Sequence, residues 1–457
     1  MLAQAATQAP GGTSRTIDVA AVIDRVGLSP FNIRLILLSW LITVFDGFDM
    51  MMISFTAPYM RDELGLSTIM LGNIFSAGLV GMMIGGFLFA YLGDRFGRRP
   101  AIVSAAFLFG IFTLLTALAQ SYHALLFLRF LDGVAIGGML PLAWALNIEF
   151  VPTRMRATVV TLIMIGYSIG GSLAGPITVA LAPRHGWEAV FVAGGLGTLV
   201  CAVALLIWLP ESLRLLAAKG WRPDKVARTL NKMEPSLGAE AGDHFVLPDE
   251  AASHAAKGFR VSSLFAGRLA LITPLLWIGY IASTLAIYFQ SSWGPILIES
   301  LHFSRSTAAY VGSAGGIIGA IAGLSLMRVT DRFGPWGIVA FAGATVPILL
   351  IMGFTMIGGG AFLALLLAAA AGIGGGHFGI LSIVGLYYPS AIRANGAGWA
   401  TSIAKLGGIA GPILGAMALA SGLSIRSTYA SLAICPLILA VAATAIGLVL
   451  RATRRPA

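Results

Sequence analysis

Twelve predominantly apolar stretches run through this chain, at about 33–57, 69–92, 100–120, 124–148, 157–182, 188–209, 269–297, 307–329, 336–357, 360–387, 393–420 and 428–450. A helix needs about 20 apolar residues to cross a bilayer, so each stretch predicts one membrane span. Composition agrees. Of 457 residues 58% are hydrophobic and 11% charged, where a soluble domain carries about 25% charged residues. A soluble protein this apolar could not cover its own surface. An ordinary soluble enzyme, a disordered tail and a secreted disulfide scaffold are excluded. The two cysteines, Cys201 and Cys435, both sit inside apolar runs and are expected to be packed small hydrophobes, so no metal site is expected. The first span is too long, and starts too late, for a cleaved signal peptide.

The longest polar segment divides the spans six and six. The expected organisation is a cytoplasmic N-terminal segment (1–32), a six-helix bundle (33–209), a cytoplasmic connector (210–268), a second six-helix bundle (269–450) and a cytoplasmic tail (451–457). A weak helical pattern around Arg214–Met233 suggests a surface helix in the connector. Cytoplasmic loops carry an excess of Lys and Arg. With both termini in the cytoplasm, 23 of the 29 Lys and Arg fall on that side and four, Arg61, Arg184, Arg305 and Arg426, on the other. Arg129 and Lys405 remain inside spans. This split accounts for the net charge of +10 and removes the case for nucleic acid. The expected partners are the lipid bilayer and a small molecule, with the chain a monomer.

The halves echo each other at one constant, ungapped offset. Pro58 maps to Pro295, Ser67 to Ser304, Asp94-Arg95-Phe96-Gly97 to Asp331-Arg332-Phe333-Gly334, Gly137-Gly138 to Gly374-Gly375, Arg156 to Arg393 and Gly170-Gly171 to Gly407-Gly408. One six-span unit is used twice in parallel orientation. The fold class expected is an all-α membrane protein, with twelve transmembrane helices in two pseudo-symmetric six-helix bundles. This repeat resembles that of the two halves of major facilitator transporters. The repeat also acts as a filter, because polar residues inside spans that do not match across the halves are candidates for the specific task. Asp46 maps to Ser283, Asp49 to Ala286, Arg129 to Leu366, His377 to Leu140 and Lys405 to Ser168.

Gly93-Asp94-Arg95-Phe96-Gly97-Arg98-Arg99 lies in the short loop between spans 2 and 3. Glycine permits the turn, the aspartate can accept hydrogen bonds from a helix N-terminus, and the arginines can clamp carboxylates. With its second copy at Asp331 and Arg332, and with Arg393, it is expected to be a structural gate. The simpler alternative is loop charge alone. Glu149, near the end of span 4, is expected to pair with the loop arginines, the alternative being direct proton carriage.

Phe45-Asp46-Gly47-Phe48-Asp49 lies deep in span 1. A charge at the bilayer centre costs about 2.5–3.5 kcal/mol on the insertion scale. Carboxylates at i and i+3 share a helix face, and because like charges repel, one can take a proton cheaply. Asp46 and Asp49 are therefore expected to couple transport to protons, the alternative being hydrogen bonds to a neighbouring helix. Arg129 either binds a substrate carboxylate or pairs with Asp132. Lys405, about twelve residues into span 11, is too deep for easy snorkelling and is an anion-binding candidate. His377, near mid-membrane, is either a satisfied core histidine or a proton relay and hydroxyl contact. Tyr288 and Trp293 of span 7 are the candidates for stacking on a substrate ring, beside Gln290 and Ser291.

Ile17-Asp18-Val19, Ile23-Asp24-Arg25, Asp46-Gly47-Phe48-Asp49 and Ala57-Pro58 resemble the start of the aromatic acid/proton symporter family of the major facilitator superfamily. Arg129-Phe130-Leu131, Pro210-Glu211-Ser212, Ser292-Trp293, Asp331-Arg332-Phe333-Gly334-Pro335, Tyr388-Pro389 and Gly398-Trp399-Ala400 extend the resemblance from about residue 17 to residue 415. It implies uptake of aromatic carboxylates with protons, with no cofactor and the proton gradient as energy source. It places Asp46 and Asp49 among the residues needed for transport, and Arg129, Glu149 and Arg393 as contributors. Leu142, His377 and Lys405 depart from the family's usual Asn, Gln and Arg. The competing functions are a proton-driven exporter of related compounds and a receptor that binds the acid without moving it. A membrane-embedded enzyme has no nucleophile–base constellation to support it.

Overall fold

The computed structural model describes residues 6–8, 15–247, 260–389 and 392–452. Lys257 of the connector and Arg454 and Arg455 of the tail lie outside these residues. Twelve helices among the described residues are long and apolar enough to cross a membrane. In the first half they are α2 (Pro30–Leu64), α3 (Thr68–Phe96), α4 (Arg98–Thr116), α5 (Tyr122–Phe150), α6 (Arg156–His185) and α7 (Glu188–Trp208). A short α1 (Val19–Arg25) precedes them, and α8 (Leu213–Ala218) and α9 (Pro223–Met233) follow in the connector. The second half has α10 (Leu269–Glu299), α11 (Arg305–Phe333), α12 (Pro335–Phe354), α13 (Gly359–Tyr387), α14 (Arg393–Ala420), and α15 (Ile425–Leu432) running into α16 (Ile434–Ala452) as one span.

The helices outrun their apolar stretches because polar caps extend them. Ser29 opens α2, accepting from the Asn32 backbone while Asn32 reaches back to it, with Pro30 in the first turn. Ser67 and Ser304, one repeat apart, cap α3 and α11 by accepting from the Met70 and Thr307 backbone N–H groups. Gly97 (φ 117°) and Gly334 (φ 60°), again one repeat apart, turn the chain into α4 and α12 in a backbone region that side chains resist. The last span is interrupted at Ala433, where Pro436 removes a helical N–H.

The pseudo-symmetry extends to individual packing contacts. A methyl group added at Gly170 would strike the Val44 carbonyl, and one at Gly407, its counterpart in the second half, the equivalent Ile281 carbonyl. Gly137 lies against Met82, and Gly374 against Gly319, at the same offset. Small residues let membrane helices approach this closely, and dispersion then replaces the hydrophobic drive that lipid removes. Within each half α3 packs on α5 as α11 on α13, and α2 on α6 as α10 on α14. Between the halves, α3 crosses α14 and α6 crosses α11.

Contacts between the halves concentrate at the end of the bundle away from the termini. Gly72 meets Ala416 and the Pro412 carbonyl, Gly175 meets Ala309, and Ser76 Oγ donates to the Ile409 carbonyl at 2.9 Å. At the terminal end a small sheet, unforeseen from the sequence, joins β1 (Ala6–Gln8), β2 (Arg15–Asp18) and β3 (His244–Val246). The β1–β2 pair is antiparallel and the β2–β3 pair parallel. Strands this short carry no readable alternation, and the β2–β3 pairing joins the N-terminal segment to the connector across the whole first half. The single connector helix expected around Arg214–Met233 is two helices, broken at Gly220 (φ 62°) and restarted by Pro223. Val226, Leu230 and Met233 of α9 bury themselves in one cluster with Val19, Val22 and Ile23.

Candidate substrate and proton site

Asp46 and Asp49 lie on the buried face of α2, 0% and 1% exposed. Gly47 between them lets the Tyr167 backbone of α6 press directly on α2. The two carboxylates have different surroundings. Among the described residues neither oxygen of Asp46 has a hydrogen-bond partner. Asp49 is gripped by Arg129 of α5 through two parallel hydrogen bonds, Nη1 to Oδ1 at 3.1 Å and Nη2 to Oδ2 at 2.7 Å. This fork-to-fork geometry is the strong form of an ion pair. Arg129 also faces Asp132, one turn along α5, with Nη1 2.9 Å from Oδ2. That contact is not aligned as a hydrogen bond. Thr113 of α4 completes the group. Its Oγ1 is 3.1 Å from Asp132 Oδ1, 3.4 Å from Asp49 Oδ1 and 2.9 Å from the Phe109 carbonyl.

Of the two alternatives for Arg129, its ion pair with Asp132 is present, and Asp49 joins it. Thr113 was not legible as a site residue, because one hydroxyl in an apolar span carries no signal of its own. A narrow cleft between the halves runs beside the cluster, lined by Met51, Phe75, Arg129, Tyr288, Ser291 and Ser292. A roomier hollow lies between α10, α14 and α16. Its walls, among them Ile278, Leu414 and Ile434, are almost wholly apolar and large parts of them face outward, which suits acyl chains better than an anion.

The second half contributes fewer polar groups. Lys405 Nζ reaches toward Gly86 of α3, 3.4 Å from where a methyl group would stand, at the crossing of the halves. No ion pair is present for it among the described residues. His377 Nδ1 shares a hydrogen bond with Ser283 Oγ at 3.2 Å, and its ring lies 5.5 Å from that of Tyr280. Ser283 stands where the first half has Asp46. Tyr288 rests its ring on Gly408 and borders the cleft. Trp293 is fully buried. Its Nε1 donates to the Pro412 carbonyl at 3.0 Å, and its ring meets Phe75 edge-on at 5.5 Å. The indole holds α10 to α14 and α3 in this conformation.

The loop motif is built differently in its two copies. In the first, Arg98 forms an ion pair with buried Glu149, and Glu149 also accepts from Ser212. Glu211 Oε1 accepts from the backbone N–H groups of Arg98 and Arg99 at 2.9 and 3.1 Å, capping α4. Gly93 leaves room for Leu142, which is buried here. The Asp94 carbonyl accepts from Lys219 at 2.6 Å. In the second copy Asp331 and Arg332 are exposed, and the places of Arg98 and Glu149 are taken by Pro335 and Leu386. Arg95 and Arg332, one repeat apart, both lie over neighbouring rings, Phe96 at 5.4 Å and Phe333 at 5.3 Å. Arg393 donates weakly to the Tyr388 carbonyl at 3.4 Å.

A clasp at the far end was not anticipated. Arg305 of the second half pairs with Asp62 of the first and with Glu299 at 3.0 Å, and lies 4.6 Å over the Tyr59 ring. Asp62 and Glu299 are repeat-equivalent, and both lie outside the apolar stretches. Outside the spans, the Thr153 backbone N–H, 2.7 Å away, holds the Asp24 carboxyl below its ordinary range. Burial pushes Asp243 up, but hydrogen bonds from Glu240 and Arg15 outweigh it and leave Asp243 lowered too.

Residues 39–412 match the Major Facilitator Superfamily. The chain is 33% identical to the 4-hydroxybenzoate transporter PcaK of Pseudomonas aeruginosa, over 93% of this chain and 95% of that one. It is 31% identical to the gallate transporter of Pseudomonas putida over 90% of each. Among solved structures, the partially occluded inward-open xylose transporter XylE from E. coli superposes with a TM-score of 0.70 at 19% identity, covering 90% of this chain and 97% of that one. A bacterial homologue of the lysosomal transporter Spinster, inward-facing and unoccupied, gives 0.69 at 17%, covering 93% and 98%. These relatives and neighbours are transporters, not enzymes, and the chain is a multi-pass integral membrane protein that belongs to the Major Facilitator Superfamily.

Proposed function

We propose that this protein imports an aromatic carboxylate together with protons, by alternating access, in the cell (inner) membrane with both termini cytoplasmic. The substrate class is supported by relatives named for 4-hydroxybenzoate, gallate and benzoate. The observation that carries proton coupling is Asp46, a fully buried carboxylate with no donor on either oxygen among the described residues, one turn from the Asp49–Arg129 pair. An uncompensated charge there is costly, and a bound proton removes it. Contacts between the halves concentrated at the far end, with the Arg305 clasp, support a conformation closed on the side away from the termini.

Arg129 is already doubly engaged, so the substrate carboxylate goes to Lys405. Tyr288 packs along the ring, and His377, held by Ser283, meets a polar ring substituent. The gradient is the only energy source, and the chain works as a monomer in lipid. The test is uptake of labelled 4-hydroxybenzoate, benzoate and gallate into proteoliposomes with and without an inward proton gradient. Accumulation driven by the gradient supports the reading. Efflux alone would make the protein an exporter, and binding without counterflow would make it a receptor.

A further inference from the structure

The sequence marked Asp46 and Asp49 as the acids of the first half, but the structure buries a third carboxyl, Asp132, in the same group. Two carboxylates then face one guanidinium, leaving one negative charge in excess, and among the described residues no ion pair with a second cation is present for either. Among the described residues the groups facing Asp132 are few. α2 presents Asp49 and, a turn away, Asp46; α5 itself presents Arg129; α6 brings Tyr167 near the two aspartates of α2; and α4 presents the neutral Thr113. Residues 68–90 of α3, packed along α5, contain no titratable side chain.

Thr113 shows where a proton belongs. A threonine hydroxyl has one hydrogen to give and two lone pairs to receive. Its oxygen has three acceptors around it, the Phe109 carbonyl at 2.9 Å, Asp132 Oδ1 at 3.1 Å and Asp49 Oδ1 at 3.4 Å. Thr113 satisfies the Phe109 carbonyl as helical threonines commonly do. Its oxygen then turns lone pairs toward the carboxyls, and an ionised Asp132 would meet it acceptor to acceptor. Asp132 also makes no aligned hydrogen bond with Arg129, whereas Asp49 makes two.

We propose that Asp132 is the protonated member of a two-carboxyl site around Arg129, sharing one proton with Asp49 through Thr113. In the state seen here Asp132 Oδ1–H donates to Thr113 Oγ1, Thr113 donates to the Phe109 carbonyl, and ionised Asp49 holds Arg129. The proton moves when Thr113 turns its own hydrogen to Asp49 Oδ1 and takes the Asp132 proton in exchange. Negative charge passes from Asp49 to Asp132, no atom is lost, and Arg129 is neutralised by one carboxylate at every stage. The guanidinium therefore stays paired and is not released to the substrate. The transport role of this site rests on the proton-coupled reading above; its protonation does not.

Infrared difference spectroscopy of the full-length protein in lipid, with hydrogen–deuterium exchange, tests this without any substrate. The wild type should show a protonated-carboxyl C=O band, and Asp132→Asn should lose one carboxyl's worth of it. Asp49→Asn should lose the same band, because Asp132 then becomes the sole counter-ion of Arg129 and ionises. Thr113→Val should shift the band without removing it, and serves also if Asp132→Asn does not fold. An unchanged band in Asp132→Asn, or no shift in Thr113→Val, overturns the proposal. Absence of gradient-driven uptake with these bands in place overturns the import reading alone.

Discussion

At Gly170 and Gly407 the two halves are interchangeable, each glycine pressed on the carbonyl that matches the other's across the repeat. Close by they part. Asp49, Arg129 and Asp132 occupy the places where the second half has Ala286, Leu366 and Ala369, all three buried in an apolar core. The loop motif diverges likewise, with Arg98 and Glu149 against Pro335 and Leu386. Packing that holds six helices together is kept in both copies, because both must fold. Buried charge, which costs stability in lipid, is concentrated in one. On the proposed reading the first half therefore handles protons, and the second half, with Lys405 and His377, receives the acid.

Removing only one member of the first half's cluster should have the largest effect. Arg129→Leu gives that position the second half's residue but strands the carboxylates, and breaking a buried pair in this way costs about 3–5 kcal/mol. Denaturation in detergent should show the loss. The triple variant Asp49→Ala, Arg129→Leu, Asp132→Ala copies the second half completely and should regain most of that stability, since an apolar replacement of a whole buried ion group is often neutral. It should not accumulate substrate. A triple variant as unstable as Arg129→Leu would mean that the cluster holds the bundle together in a way the second half does without.

Lys405 sharpens the comparison from the other side, since its counterpart is Ser168. Hydrogen bonds to charged groups are worth about 1.5–3 kcal/mol, so Lys405→Ala should weaken binding of the labelled acid about 10- to 100-fold. Lys405→Arg should alter preference among acids more than folding, because a planar fork replaces a point charge. Wild-type affinity in Lys405→Ala would return Arg129 as the carboxylate partner.

The smallest effect concerns the hydrogen bond from Thr153 to Asp24 of α1. Asp24 is held below its ordinary range by Thr153, so its contribution is fully present above the ordinary aspartate value of about 3.9. It is lost as pH falls through the lowered value. Protection of the α1 amides against hydrogen exchange should be constant from neutral pH to about 4 and fall below that. In Asp24→Ala it should be low throughout.

Much of this was readable because lipid imposes long apolar runs. Most span ends are legible to within a few residues, and the stretch 393–420 coincides with α14, while α2 runs on to Leu64, past the expected end at 57. The misses share one physical cause. Sequence gives depth along a helix but not its rotation, so Arg129 could be placed in its span without revealing that it grips Asp49, 80 residues away. Thr113, Arg305 on Asp62 and the β2–β3 pairing are likewise long-range contacts between residues unremarkable in isolation.

The proton-handling role of the first half is tested most directly by gradient-driven accumulation set beside counterflow, in wild type and in Asp46→Asn, Asp49→Asn. Asn removes the titrating group at nearly constant volume. With equal protein in the membrane, the double variant should still exchange labelled acid across proteoliposomes but fail to concentrate it when an inward proton gradient is imposed. Concentration to the wild-type level by the double variant would contradict the account.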